Sequence, residues 1–332
     1  MKKIIIVTDS WAPAINGVSV TLEKMREIGE SKGYKVKIIH PGLVNFFTLP
    51  YLPEIPISFF PGYIIKKIIE NEKPDHIHIA TEGQLGFTAR KICIKKNLFF
   101  TTSYHTNFAM YAEARIGKIF FRMINSYIFW FHKAAAATMV STQSLKKELI
   151  KNGLTNILIW PLGVDTDLFQ MSDQKSNLFA RPIYIYVGRI AKEKNVEEYL
   201  KCDLQGTKLV IGDGPQRKEL EKRYKDKAVF LGYKKRQDLV DVIAQSDVLV
   251  FPSITDTFGL IIVEALACGI PVAAHNVMGP KDILTEGVDG FMEENLSDAA
   301  KKCLTLSAKA CREKALLFSW QNSAEIFLRN LK

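Results

Sequence analysis

An aspartate and a glutamate, Asp256 and Glu264, frame the stretch of this chain richest in chemistry. It reads Pro252-Ser253-Ile254-Thr255-Asp256-Thr257-Phe258-Gly259-Leu260, then Ile261-Ile262-Val263-Glu264-Ala265-Leu266-Ala267-Cys268-Gly269. The apolar run 248–251 before it reads as a buried strand, and the segment after it as a helix that Gly269 ends. If that helix starts near Phe258, its first amide groups point to where Asp256 sits. A helix N-terminus attracts an anion. Glu264, two turns on, reaches the same side and can accept hydrogen bonds from a diol such as ribose. The spacing suits equally an Asp256 that caps the helix and a Glu264 that is merely solvated.

A second group is Gly188-Arg189-Ile190-Ala191-Lys192-Glu193-Lys194, directly after the β-rich run 183–187. A glycine at a strand's carboxyl end, then Arg189 and Lys194 five residues apart, can set two cations on a diphosphate, because ligands of open α/β sheets sit beyond the carboxyl ends of strands. Each charge-assisted contact is worth roughly 1.5–3 kcal/mol. A solvated charged loop leading into a helix is the other reading.

Two further loops follow strands. Asp9-Ser10-Trp11-Ala12-Pro13-Ala14-Ile15-Asn16-Gly17-Val18-Ser19 carries the turn signal Asn16-Gly17 just ahead of a helix, so it can bring backbone N–H groups to a phosphate or sugar, or simply connect strand to helix. Ser103-Tyr104-His105-Thr106-Asn107 puts His105 at a strand's carboxyl end, where it can act in a cleft or serve structure. The alternating His76 and His78 read as structural. The chain has no GxGxxG, no GxxxxGK[ST] and no HExxH, which argues against a Rossmann dehydrogenase, a P-loop NTPase and a zinc hydrolase. Asp165-Thr166-Asp167 has the form of a metal-binding DxD but stands just before a linker, so it is set aside as a metal site.

The elements that must position these residues alternate. Strand-like runs fall at 4–7, 36–39, 76–80, 99–103, 138–141 and 157–160, with helical spacing between most of them. Val18, Leu22, Met25 and Gly29 mark the first helix, which Gly33 ends. The pattern restarts with strands at 183–187, 208–211, 229–231, 248–251 and 271–274 and helices at 195–201 and 215–224. The simplest architecture is α/β: two doubly wound parallel-sheet halves in series. The polar stretch 170–181 is the expected linker. The domains are then 1–169, 182–315 and a last amphipathic helix, 316–332.

Composition narrows the class. Hydrophobic residues at 47% and charged residues at 24% exclude a disordered, collagen-like or coiled-coil chain. Forty-five Lys and Arg against thirty-five Asp and Glu give +10, which favours an anionic partner. Lys2 and Lys3 precede an apolar run too short for a signal peptide, and no run reaches the ~18 apolar residues of a spanning helix. The scattered Cys93, Cys202, Cys268, Cys303 and Cys311 form no CxxC and read as reduced and cytosolic.

Together and in this order, the motifs resemble glycosyltransferase family 4, with the GT-B architecture of two Rossmann-like doubly wound domains facing across a cleft. The resemblance runs from residue 4 to about residue 296. Asp256-x7-Glu264 is similar to the family's E-x7-E element with Asp in first place. Arg189 and Lys194 fit its G-R-x4-K phosphate clamp. Asn16-Gly17-Val18-Ser19, Tyr104-His105-Thr106 and Gly163-Val164-Asp165-Thr166-Asp167-Leu168-Phe169 are similar to a narrower branch, that of GDP-mannose-dependent α-mannosyltransferases and sulfoquinovosyl diacylglycerol synthases.

The resemblance implies retaining transfer of a hexose, mannose favoured, from a nucleotide-diphosphate sugar to a lipid or glycan acceptor, with no metal and no cofactor. GDP-mannose is the favoured donor, with a UDP-sugar for glucosyl or sulfoquinovosyl transfer as the alternative. It implies that Arg189 and Lys194 hold the donor diphosphate and stabilise charge on the leaving group. Glu264 accepts from the ribose. Asp256 touches the transferred sugar, which backbone N–H groups of Phe258, Gly259 and Leu260 help to seat. Gly17, with Asn16 before it, lets the N-terminal loop approach the donor, and His105 lies near the sugar. Gly212 and Tyr233 lie near the nucleotide, and the last helix crosses back to the N-terminal domain. Asp256 is one methylene shorter than the family's Glu, and Met278-Gly279-Pro280-Lys281-Asp282 stands where many relatives carry a glycine pair.

The stretch 115–133, RIGKIFFRMINSYIFWFHK, combines cations with aromatic and aliphatic residues. It reads either as an interfacial helix that attaches a cytoplasmic protein to an anionic membrane face, or as a helix of the N-terminal core. The rivals from other classes are a non-catalytic nucleotide-sugar-binding protein and a basic nucleic-acid-binding protein. No nucleic-acid module signature is present, and the basic residues are dispersed, so nucleic acid is not expected as a partner.

Overall fold

The computed structural model describes every residue except 12–16, 45, 50, 51, 59, 106–117 and 173–177, and at 46–49, 52–57, 118–121 and 236 it describes the backbone alone. The described residues form two units, Met1–Leu162 with Trp320–Lys332, and Gly163–Ser319.

The first unit runs β1 (Lys3–Val7), α1 (Gly17–Ser31), β2 (Lys35–Ile39), β3 (Phe46–Leu49), β4 (Leu52–Ser58), α2 (Pro61–Glu72), β5 (His76–Ile79), α3 (Gln84–Lys95), β6 (Thr101–Tyr104), α4 (Lys118–Lys133), β7 (Ala137–Val140), α5 (Gln143–Lys151) and β8 (Ile157–Ile159). Its main sheet has the order β2-β1-β5-β6-β7-β8, all parallel, and β3 and β4 form a separate antiparallel pair. Strand β1 shows why the sheet is covered on both faces. Ile4 and Ile6 join one core with Leu22 and Met25 of α1. Ile5 and Val7 join another with Ile65 of α2, Leu85 of α3 and Phe131 of α4. Side chains alternate across a strand, so an unbroken apolar strand needs helices on both sides.

The second unit runs β9 (Ile183–Val187), α6 (Val196–Lys201), β10 (Thr207–Ile211), α7 (Arg217–Arg223), β11 (Val229–Gly232), α8 (Arg236–Ala244), β12 (Val248–Phe251), α9 (Leu260–Ala267), β13 (Val272–Ala274), α10 (Pro280–Ile283), β14 (Gly290–Met292), α11 (Leu296–Cys303) and α12 (Ala308–Leu316). Helix α13 (Trp320–Asn330) then joins the first unit, where Trp320, Ala324 and Phe327 enter the core beside Ile4 and Ile6. The second sheet is also parallel, in the order β11-β10-β9-β12-β13-β14. Counted within the unit, that is the 3-2-1-4-5-6 order of dinucleotide-binding sheets, reversing between β9 and β12. The first sheet reverses between β1 and β5.

The two doubly wound α/β halves expected from the alternation are present. The β3–β4 pair and β14 were not expected. Pro53 and Pro56 disguise β4 as a non-strand, and three residues are too few for β14 to signal itself. Strand β6 begins at Thr101, two residues later than expected, and Phe99 before it is 79% exposed. All five cysteines are free and buried, and burial pushes the Cys93, Cys303 and Cys311 thiols up to about 12. Among the described residues no helix is long and apolar enough to cross a membrane.

Candidate active site

The loops after β9, β10 and β11 are sewn together by backbone hydrogen bonds. Gly188 N–H donates to Ile211 O (3.0 Å), Ile190 N–H to Asp213 O (2.8 Å) and Gly212 N–H to Gly232 O (2.9 Å). Gly212 has φ +139°, and a Cβ there would lie 1.9 Å from Gly188 O, so only glycine lets these loops meet. That contact sets the position of Arg189. Its carbonyl accepts from the Tyr186 hydroxyl (2.8 Å), while its side chain is exposed. Tyr233, the first residue after β11, is 60% exposed.

Across the reversal point, the loop after β12 meets the loop after β9. Lys194 Nζ donates to Asp256 Oδ1 at 2.5 Å, with both side chains about four-fifths buried (21% and 18% exposed). The Thr255 hydroxyl donates to Glu193 O (3.1 Å), so consecutive residues of the two loops are linked. The loop after β12 is backed from behind by Gly279. With φ +90°, its missing Cβ would lie 2.9 Å from both Asp256 O and Phe258 O.

Helix α9 begins at Leu260, not near Phe258. Gly259 holds φ +87° as its N-cap, which stops the helix from extending further back. Asp256 therefore lies outside the helix and does not cap it, and among the described residues no side chain hydrogen-bonds the helix start. Phe258 is a core residue, edge-on to Phe318 at 5.9 Å, so only its backbone faces the loop chemistry. Gly269 ends the helix at φ +74°, as expected. Glu264 sits on α9 half-buried among Ile262, Val263, Ala265 and Leu266, which are fully buried. Burial pushes its carboxyl up to about 7. Its side chain has no hydrogen-bond partner among the described residues, an unusual state for a desolvated acid.

In the first unit, His105 follows β6 as expected. Ser103 Oγ lies 2.8 Å from His105 Nε2 and 3.2 Å from His78 Nε2, and donates to Ala80 O (3.3 Å). Both rings pack edge-on to Trp160. Burial lowers His105 to about 4 and His78 to about 3, so both are neutral at pH 7. His78 is structural as read, fixed by Thr101 Oγ1 at 2.9 Å and facing Phe327. Gly17 opens α1. Asn16 and Thr106 lie outside the described residues.

Sequence reading missed the network at the first reversal point. Asp9 Oδ1 accepts from Leu85 N–H (2.7 Å), and Oδ2 accepts from the Thr81 hydroxyl (2.8 Å) and Gly86 N–H (3.3 Å). Asp9 thereby fills the N-terminus of α3 from a neighbouring strand. Gly83 makes room: a Cβ there would lie 2.5 Å from the Asp9 carboxyl carbon. Burial raises the Asp9 carboxyl, and these hydrogen bonds oppose the rise. Beside it, Glu82 Oε1 lies 3.0 Å from His132 Nε2, and His132 Nδ1 meets Thr102 Oγ1 (2.8 Å). An aspartate at the end of β1 was the only available signal, because its partners lie more than seventy residues away.

Of the DxD, Asp165 Oδ1 accepts from Leu168 N–H (3.1 Å) and so caps a turn. Helix α4 divides the two readings of 115–133. Ile128, Phe131 and His132 are buried, whereas Arg122, Met123 and Trp130 are exposed. The guanidinium of Arg90 stacks 3.6 Å over Trp130.

Known proteins match this arrangement. The family model for Glycosyltransferase Family 4 matches residues 15–168, and that for Glycosyl transferases group 1 matches residues 170–309. The sulfoquinovosyl transferase SQD2 of Arabidopsis thaliana is 30% identical over 313 residues, 86% of this chain but 61% of that longer protein. A GDP-mannose-dependent alpha-mannosyltransferase of Mycobacterium tuberculosis is 26% identical over 360 residues, covering 96% of this chain and 93% of its own. Among solved structures, a sucrose-phosphate synthase from Thermosynechococcus elongatus superposes with a TM-score of 0.76 at 18% identity, over 99% of this chain and 98% of that one. With both halves of the chain matched in order and both built as parallel Rossmann-like sheets, the chain belongs to glycosyltransferase family 4 and has the GT-B fold.

Proposed function

We propose that this chain is a retaining, metal-independent hexosyltransferase that moves mannose from GDP-mannose to a lipid or glycan acceptor. The observation that carries the reading is the meeting of Lys194 with the Asp256 loop at the reversal point of the second sheet, with Arg189 on the same β9 loop. A diphosphate seated there gains two cations as its charge grows on departure. Loss of one such preorganised group typically costs ~10²–10³ in rate. Glu264, desolvated and without a hydrogen-bond partner among the described residues, suits a vicinal diol, and ribose offers one. The exposed Tyr233 ring offers a base a stacking surface. Asp256 and His105 are assigned to the transferred sugar.

The relatives carry the sugar assignment: the M. tuberculosis protein is described as GDP-mannose-dependent, and SQD2 as a sulfoquinovosyl transferase. A UDP-sugar donor is therefore the second reading. The test is thermal stabilisation by GDP, UDP and ADP in EDTA. A ligand at 100 times its dissociation constant adds ~2.7 kcal/mol. A selective GDP shift supports the mannosyl reading, a selective UDP shift moves it to glucosyl or sulfoquinovosyl transfer, and no shift removes it. The anomeric configuration of the product, read by NMR, tests retention.

A peripheral membrane contact is part of the same proposal. Arg122, Met123 and Trp130 of α4 are exposed, and Phe87, Lys91, Ile94 and Lys95 of α3 line a neighbouring surface groove. Cations mixed with aromatic and aliphatic side chains suit an anionic interface. Failure to cofloat with anionic liposomes at low salt would remove this part.

A further inference from the structure

The ammonium assigned to the diphosphate is already held by a carboxylate of the same unit. Lys194 Nζ and Asp256 Oδ1 are 2.5 Å apart, largely screened from solvent. The carboxylate cannot easily retreat. The Thr255 hydroxyl ties its loop to Glu193 O, and the Gly279 turn presses on the Asp256 and Phe258 carbonyls from behind. Lysine, by contrast, is a point charge on a flexible four-carbon stem, free to swing between two anions. The asymmetry matters because a diphosphate must take Lys194 from Asp256 on arrival and lose it to Asp256 on departure.

We propose that Asp256 is a built-in competitor of the diphosphate for Lys194, a positioning residue that weakens nucleoside diphosphate binding and hastens its release. The proposal rests on the assignment of Lys194 to the diphosphate. It adds a role to Asp256 that a contact with the transferred sugar alone does not contain, because the free nucleoside diphosphate carries no sugar.

The test is titration calorimetry and stopped-flow release of GDP and UDP with wild type, Asp256→Asn, Lys194→Met and the double variant. Asp256→Asn is expected to bind the preferred nucleotide about two- to fivefold more tightly, by the usual worth of a partly exposed ion pair, and to release it more slowly. A gain in affinity cannot come from structural damage. Lys194→Met should weaken binding, and in its background Asp256→Asn should change little. Unchanged or weaker binding by Asp256→Asn overturns the proposal, as does a gain that persists undiminished in the Lys194→Met background, which would be simple charge repulsion. If Lys194→Met leaves affinity unchanged, it is the diphosphate assignment that fails. Asp256→Ser, with the same loss of charge, replaces Asp256→Asn should that variant fold poorly.

Discussion

The two sheets reverse strand order at equivalent places but treat the helix that follows in opposite ways. At the β1–β5 reversal, Asp9 reaches across and satisfies the first amides of α3. At the β9–β12 reversal, Asp256, on the loop that leads into α9 itself, turns away to Lys194 of the neighbouring β9 loop, and among the described residues no side chain caps the glycine start of α9. A helix start whose amides are already taken by a carboxylate has little left for a phosphate, whereas one without such a cap keeps its amides and partial charge for a ligand. Two similar frameworks thus differ in anion chemistry through whether a carboxylate is turned to the helix start or to a lysine.

The strongest way to break this contrast is to exchange its members. Lys194→Ala is expected to lower kcat/KM by ~10²–10³, an effect larger than the stability of about 1 kcal/mol lost by leaving Asp256 unpaired. Asp9→Ala should do the reverse. It strands two helix amides and the Thr81 hydroxyl, costing about 1–3 kcal/mol of stability in denaturant unfolding. Nucleotide affinity should stay near wild type in the folded protein. Nucleotide affinity lost in Asp9→Ala at unchanged stability would show that the first reversal point, too, serves the donor.

Acid sharpens the comparison, because the two units respond with opposite sign. His78 and His105 are held neutral by burial, at about 3 and 4. Depressed bases contribute stability that is present above ~6.5 and is lost as pH falls towards 4. Glu264, raised to about 7 by burial, behaves oppositely. Stability is complete below the unfolded value near 4.5 and is lost as pH rises through 7. Hydrogen exchange resolved by segment, from pH 8 to pH 5, should therefore show β5 and β6 losing protection while α9 gains it. Glu264→Gln should abolish the second change. In wild type, donor affinity should fall as pH drops through 7, because a protonated Glu264 accepts less well from a diol.

The smallest expected effect is at the rim. Tyr233→Ala should weaken nucleotide binding by ~1–3 kcal/mol if the ring stacks on the base, and by nothing measurable if it is only a surface residue. Titration calorimetry with GDP and UDP separates the two.

What could be read without coordinates was local. Both β9 and β12 were legible as apolar runs bounded by turn residues, and Arg189, Lys194, Asp256 and Glu264 followed from their distance along the chain from those strands. What local spacing could not give was the partner of each charge. Asp256 and Glu264 look like one helical face at i and i+8, but Gly259 breaks that face, and Asp256 pairs instead with a lysine sixty-two residues earlier. Asp9 was visible but silent for the same reason. Helix α4 was legible as amphipathic, yet only packing shows that Ile128 and Phe131 face the core while Trp130 does not.

The return of α13 to the first unit has a consequence for synthesis. Trp320, Ala324, Phe327 and Leu331 complete the core that Ile4, Ile6, Leu22 and Met25 begin. A growing chain makes the whole of the second unit before those side chains leave the ribosome. The first unit therefore waits, with one apolar sheet face only partly covered by α1, while its neighbour is translated, and a nascent chain stalled before residue 320 is expected to be a chaperone client.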